Sequence, residues 1–182
     1  MALTIHRSDA PLVEIFRELD VDRPCCGFVV AENEQFVVVH QVSDRFDLDG
    51  YRALRKEDIE GIDTDFERRD VVERALAIKQ LEPVVPAGLD LSSMRRLMES
   101  AQAASGILVI ARERVHDDEV EVGTIRMTSD DTYVLRWMTI SAEWDNDDRP
   151  FRYRDVTYLE FGTEYEQTLL AVARSREGDA AA

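Results

Sequence analysis

Six carboxylates stand in RKEDIEGIDTDFERR, Arg55 to Arg69: Glu57, Asp58, Glu60, Asp63, Asp65 and Glu67. Carboxylates this close can share a divalent cation, or divide acid and base roles when burial raises the pKa of one of them. The apolar residues between them indicate a plainer arrangement. Ile59 and Ile62 anchor DIEGI as a closing strand. From Phe66 onward, Val71 or Val72, Ala75, Leu76 and Ile78 recur at helical spacing, with Asp65 as the N-cap. On this reading the acids line the wet face of a strand and the first turn of a helix, where Asp65 and Glu67 suit the helix dipole.

Two turns are also acidic. DRFDLDG places Asp47 and Asp49 at the third and fifth positions of a calcium loop whose sixth is Gly50. The first and twelfth positions then fall on Arg45 and Lys56, where the loop needs carboxylates, so the stretch reads as a polar turn. EWDNDDRP gathers Glu143, Asp145, Asn146, Asp147 and Asp148. Asp145, Asp147 and Asp148 are the weak metal candidates, although a solvated hairpin tip is the simpler reading. His6, His40 and His116 form no HxH or HExxH pair, and His40 sits in an apolar strand as a packed residue. Cys25 and Cys26, the only cysteines, point to opposite faces of a strand and make no CxxC. There is no GxSxG and no glycine-rich phosphate loop. The sequence supplies no catalytic residue, no metal site and no cofactor.

The second half is richer in aromatics, with Tyr133, Trp137, Trp144, Phe151, Tyr153, Tyr158, Phe161 and Tyr165. Alternation along strands brings part of this set to the surface, where aromatics hold ligands or partners. Trp137, Trp144 and Tyr153 are the candidate binding residues. The two tryptophans lie on the hairpin leading to the acidic turn.

The elements that must position these residues follow from periodicity. GFVV and QFVVVHQV flank the polar AENE as a hairpin, and YRALR and DIEGI follow as strands before the helix that opens near Asp65. EPVVPAGLDLSS is a linker in which Asp90 or Ser92 caps the helix SSMRRLMESAQAASG, closed by Gly106. The strand pattern resumes with ILVIARERV, EVGTIRM, TYVLRWMTI, FRYRD and VTYLEF, and EYEQTLLAVARSR forms a last helix before a small polar tail. The halves read as one unit written twice, about 96 residues apart: LVEIFREL against LVIARERV, Gly27-Phe28-Val29 against Gly123-Thr124-Ile125, Asp58 against Asp155. Its partner's strand character assigns Leu12–Leu19 to a strand. Residues 1–82 are then a first unit, 83–106 a linker and helix, 107–176 a second unit and 177–182 a frayed tail.

Five short strands with an adjoining helix, and GFVVAENEQFVVVHQV in particular, resemble the small barrels of the Sm-like and SH3-like kind. The resemblance covers Leu12–Ile62 and Leu108–Leu159 and implies a mainly β (α+β) chain of two tandem five-stranded barrels, each followed by a helix. In Sm-like proteins a loop asparagine and an Arg-Gly pair hold RNA. Here Asn33 occupies that turn in the first unit, but Ser129-Asp130-Asp131 stands there in the second. The Arg-Gly positions hold Arg55-Lys56-Glu57 and Tyr153-Arg154-Asp155.

The chain has 182 residues, 45% hydrophobic and 33% charged, with a formal net charge of -16, which permits a core and repels polyanions and anionic membranes. With no leader pattern and no long apolar run, a reducing cytoplasm is the expected location. The expected function is a non-catalytic interaction module that binds a protein partner or forms a homodimer, with no nucleic acid and no membrane. An Sm-like RNA-binding protein and a small metal-dependent enzyme using turn carboxylates are the alternatives.

Overall fold

A computed structural model of the chain describes residues 3–4, 10–116, 119–145 and 147–180; His6 and Asn146 lie outside them. The fold is mainly β; among the described residues the strands pair antiparallel and three helices accompany them. The chain divides into two compact units, Met1–Ala87 and Gly88–Ala182.

The first unit runs β1 (Leu3–Thr4), β2 (Leu12–Arg17), β3 (Asp20–Glu32), β4 (Phe36–Val42), β5 (Leu48–Arg55), a 3-10 turn (Lys56–Asp58), β6 (Ile59–Asp63) and α1 (Arg69–Lys79). Its strand order is β5-β4-β3-β2-β6, with β1 added against β3. The pairs Ile15↔Cys25 and Glu14↔Cys26 place the two cysteines on opposite faces of β3. Cys26 lies on the face covered by α1, in a cluster with Leu12, Phe66, Val72 and Leu76. Asp65 does not cap α1. The Asp63 carboxylate instead accepts a bond of 2.8 Å from the Asp65 N–H, closing a turn before the helix begins at Arg69.

The second unit opens with α2 (Met94–Ser105), followed by β7 (Leu108–Ala111), β8 (Val120–Thr128), β9 (Thr132–Trp137), β10 (Arg149–Arg152), a 3-10 turn (Tyr153–Asp155), β11 (Tyr158–Phe161) and α3 (Glu164–Ala180). Its strand order is β10-β9-β8-β7-β11. Neither Asp90 nor Ser92 caps α2. The Asp90 carboxylate takes the Ser92 N–H, and Ser93 is the cap, its hydroxyl accepting from the Arg96 N–H at 3.2 Å. Gly106, at φ 82°, ends the helix as expected. β7 stops at Ala111, short of the strand read through Val115, because the Val115 and His116 N–H groups turn back onto the Arg112 carbonyl. α3 takes in residues 177–180, which composition assigned to a tail.

The same local structures recur in both units about 96 residues apart. The β3–β4 ladder slips between Val29 and Ala31, and the β8–β9 ladder between Ile125 and Met127. A side chain on Gly27 would collide with the His40 carbonyl oxygen, and one on Gly123 with that of Arg136. The side chains of Asn33 and Ser129 accept from the N–H groups of Phe36 and Thr132, at 2.8 Å and 3.0 Å. The loops after β4 and β9 are built alike: Ser43 and Thr139 hold the N–H groups of Asp47 and Glu143 through their hydroxyls, with Phe46 and Ala142 at φ 57° and 55°.

Candidate interaction edges

β6 and β10 are edge strands: each has one hydrogen-bonded neighbour among the described residues, β2 for β6 and β9 for β10. An edge leaves a row of backbone donors and acceptors able to pair with another strand. On β6 the exposed residues are Glu60, Ile62 and Asp63, with Ile62 52% accessible, and Glu57 is exposed just before it. On β10 they are Arg149, Pro150 and Arg152, with Arg154 exposed just beyond. The exposed charged residues of β6 itself are acidic and those of β10 itself basic, with Asp147 and Asp148 exposed just before β10, in a chain that is strongly acidic as a whole.

Beside β10 the β8–β9 turn and the following 3-10 turn enclose an open cleft of about 590 Å³, lined by Asp130, Asp131, Thr132, Arg152, Tyr153 and Arg154. The Tyr153 N–H donates to the Asp131 carbonyl at 3.1 Å and fixes one wall to the other. In the first unit Lys56 and Gln35 make the same bond at 2.8 Å. The two turns therefore meet in each unit, and in the second they present Asp130 and Asp131.

The aromatic candidates occupy three different settings. Trp137, on β9, is half-buried, 6.0 Å from the Phe151 ring, with the Arg149 guanidinium 5.9 Å from its own. Trp144 packs on the apolar cluster of Val109, Val122, Met138, Leu170 and Ala173, and the Arg136 guanidinium lies 4.4 Å over its ring. Tyr153 is 6% accessible, its ring tilted against that of the fully buried Tyr133 with centroids 5.2 Å apart. Trp144 faces the helix side, so the three do not share one surface.

The acidic turns are tied down by cations and backbone. Asp147 accepts from Arg149 at 2.6 Å and 2.9 Å, Asp145 accepts from the Asp147 N–H at 3.0 Å, and Asp148 lies 3.9 Å from Arg126. Asp47 is held by Lys79 at 2.6 Å, which fastens the DRFDLDG turn to the last residue of α1. Among the described residues no group of three or more His, Cys, Asp or Glu side chains converges as a metal site. His40 is buried and stacked on Tyr51 at 4.5 Å, and its Nδ1 accepts from the Val84 N–H at 3.1 Å. Burial pulls its pKa down to about 4 against the opposing pull of Asp49, so the ring stays neutral at pH 7. Burial, reinforced by Glu14, pushes the Cys26 thiol up to about 11, which keeps it protonated and poorly nucleophilic.

Glu60 and Asp63 stand on the β6 edge and Arg149 and Arg152 on the β10 edge, a placement that no local pattern signals. Their charge was visible in RPFR and IEGID. Which strands lie at an edge was not, because that depends on long-range pairing. No helix among the described residues is long and apolar enough to cross a membrane. Compared with known proteins, the chain matches no protein-family model, no curated protein and no solved structure.

Proposed function

We propose that this protein is a non-catalytic interaction module built from two copies of one small-barrel design of the Sm-like or SH3-like kind, and that it self-associates head to tail through β10 of one copy and β6 of the next. The observation that carries the reading is the opposite charge of two single-neighbour edge strands: Arg149 and Arg152 on β10, Glu60 and Asp63 on β6. Support for the two-copy design comes from the shared strand order, the shared ladder slip and the paired glycines and loops. In each unit four strands meander, a 3-10 turn follows, and the fifth strand returns to the first.

Pro150 and the two arginines are also features that keep an edge from pairing indiscriminately. Proline removes one donor, and like charges reject most strands. An acidic strand is the one this edge admits, so the guards become a selectivity device. A contact between two unlike edges is heterologous and builds rings or open chains. Nucleic acid has less support, since Asp130 and Asp131 line that cleft and the net charge is -16. A metal-dependent reaction has less still, since the turn carboxylates are engaged by Arg149, Arg126 and Lys79.

Light scattering on the full chain across a salt series tests the reading. The expected mass at low salt is a multiple of 20.8 kDa that falls as salt is added. A monomer at every salt and concentration overturns it.

A further inference from the structure

We propose that the cleft beside α1 in the first unit docks a basic peptide segment that inserts one aliphatic side chain. The cleft holds about 430 Å³, with Phe28, Leu76 and Leu81 as its apolar wall and Glu73 and Glu82 at its rim. Its opening follows from the way α1 ends. Gln80 takes φ 56°, and the Leu81 N–H turns back to the Leu76 carbonyl at 3.0 Å, so the chain turns at the helix end and sets Leu81 and Glu82 on the cleft wall with Phe28. Phe28 remains half-buried at a place where the fold does not demand an aromatic: the residue after Gly123 on β8, in the matching position, is Thr124.

The chemistry of the occupant follows from the lining. Two carboxylates border the cleft and no Lys or Arg lines it, in a chain of net charge -16. Glu73 is tied to Arg69 at 2.9 Å, and Glu82 is exposed at the mouth. Lys or Arg flanking the inserted side chain meets this rim, while the aliphatic group displaces water from the half-buried Phe28 and Leu81. Charge brings the segment in, and the apolar insertion distinguishes it from any other polycation. The site is separate from β6 and β10, and a short peptide reports on it whether or not copies associate.

Fluorescence anisotropy on the full chain, with labelled Arg-Arg-Leu-Arg-Arg and Arg-Arg-Ser-Arg-Arg as probes, decides the matter. The leucine peptide should bind at least about tenfold more tightly than the serine peptide. Ala77 also lines the cleft from an exposed helix position, so Ala77→Trp fills it and should abolish the difference while the thermal melt is unchanged. If that variant melts early, Glu82→Lys replaces it, with an expected loss of at least about threefold in leucine-peptide affinity. Equal affinity for the two peptides, absence of binding by either, a preference that survives Ala77→Trp in a folded protein, or an unchanged affinity in Glu82→Lys each overturns the proposal.

Discussion

Arg112 and Glu121 form a buried ion pair in the second unit, with Nε 2.8 Å from one carboxylate oxygen and 3.0 Å from the other, and side chains only 8% and 5% accessible. The Phe151 ring lies 4.3 Å from the guanidinium carbon, and the hydrogen bonds that Arg112 donates to Glu121 raise the Arg112 pKa further. Removing one partner strands the other charge away from water. Glu121→Ala should therefore destabilise the protein by about 3 to 5 kcal/mol. The double replacement Arg112→Met with Glu121→Leu should cost less than either single change to alanine. Urea denaturation measures all of these, and a Glu121→Ala loss under about 1 kcal/mol would contradict the account.

Gly27 and Gly123 offer a matched pair of backbone tests. Alanine at either position drives a methyl into a neighbouring strand's carbonyl, which backbone shifts alone can relieve. Each substitution should cost about 2 to 4 kcal/mol. Gly61→Ala, with open space around its new methyl, should stay within about 0.5 kcal/mol of the native protein. Thermal melts that fail to separate these two groups would show that the strands accommodate the methyl.

His40 predicts a pH dependence with a definite sign. Its pKa is about 4 in the folded protein against an ordinary 6.5, so between those values the unfolded chain binds a proton that the folded one refuses. The contribution to stability is therefore complete above about pH 6.5 and is lost as pH falls towards about 4. Protonation of Nδ1 also removes the acceptor of the Val84 N–H, while the Tyr51 hydroxyl still holds the Val84 carbonyl at 3.0 Å. His40→Gln should show a shallower fall in unfolding free energy over that range than the native protein. Parallel slopes would assign the acid sensitivity elsewhere.

The edge strands predict a charge exchange. Arg149→Glu with Arg152→Glu should abolish self-association, as should Glu60→Arg with Asp63→Arg in the same chain. Mixing the two double variants should restore a complex, because the reversed β10 of one then meets the reversed β6 of the other. Size exclusion with light scattering reads the result. Assembly of the β10 variant as in the native chain would overturn pairing through β10.

Much of the secondary structure was legible in local pattern. The β-branched runs in GFVV and VVVH, the apolar spacing of Val72 and Leu76, and the glycine stop at Gly106 each express a short-range preference that the folded chain retains. Helix starts were less legible. Asp65 and Asp90 have the right chemistry for caps, yet neighbouring turns use Asp63 and Asp90 to hold the Asp65 and Ser92 N–H groups, and the helices start later. Trp137, Trp144 and Tyr153 were chosen by residue type, which says nothing about the face each one occupies.

The sequence by itself determined the alternation of strands and helices and the acidic surplus, since these depend on residues near in the chain or on composition alone. Tertiary structure decided which acids and which arginines stand on an open edge, and that Arg112 and Glu121 meet. Those facts depend on which strand lies beside which, and hydrogen-bond pairing between distant segments sets that, not the preferences of any one segment.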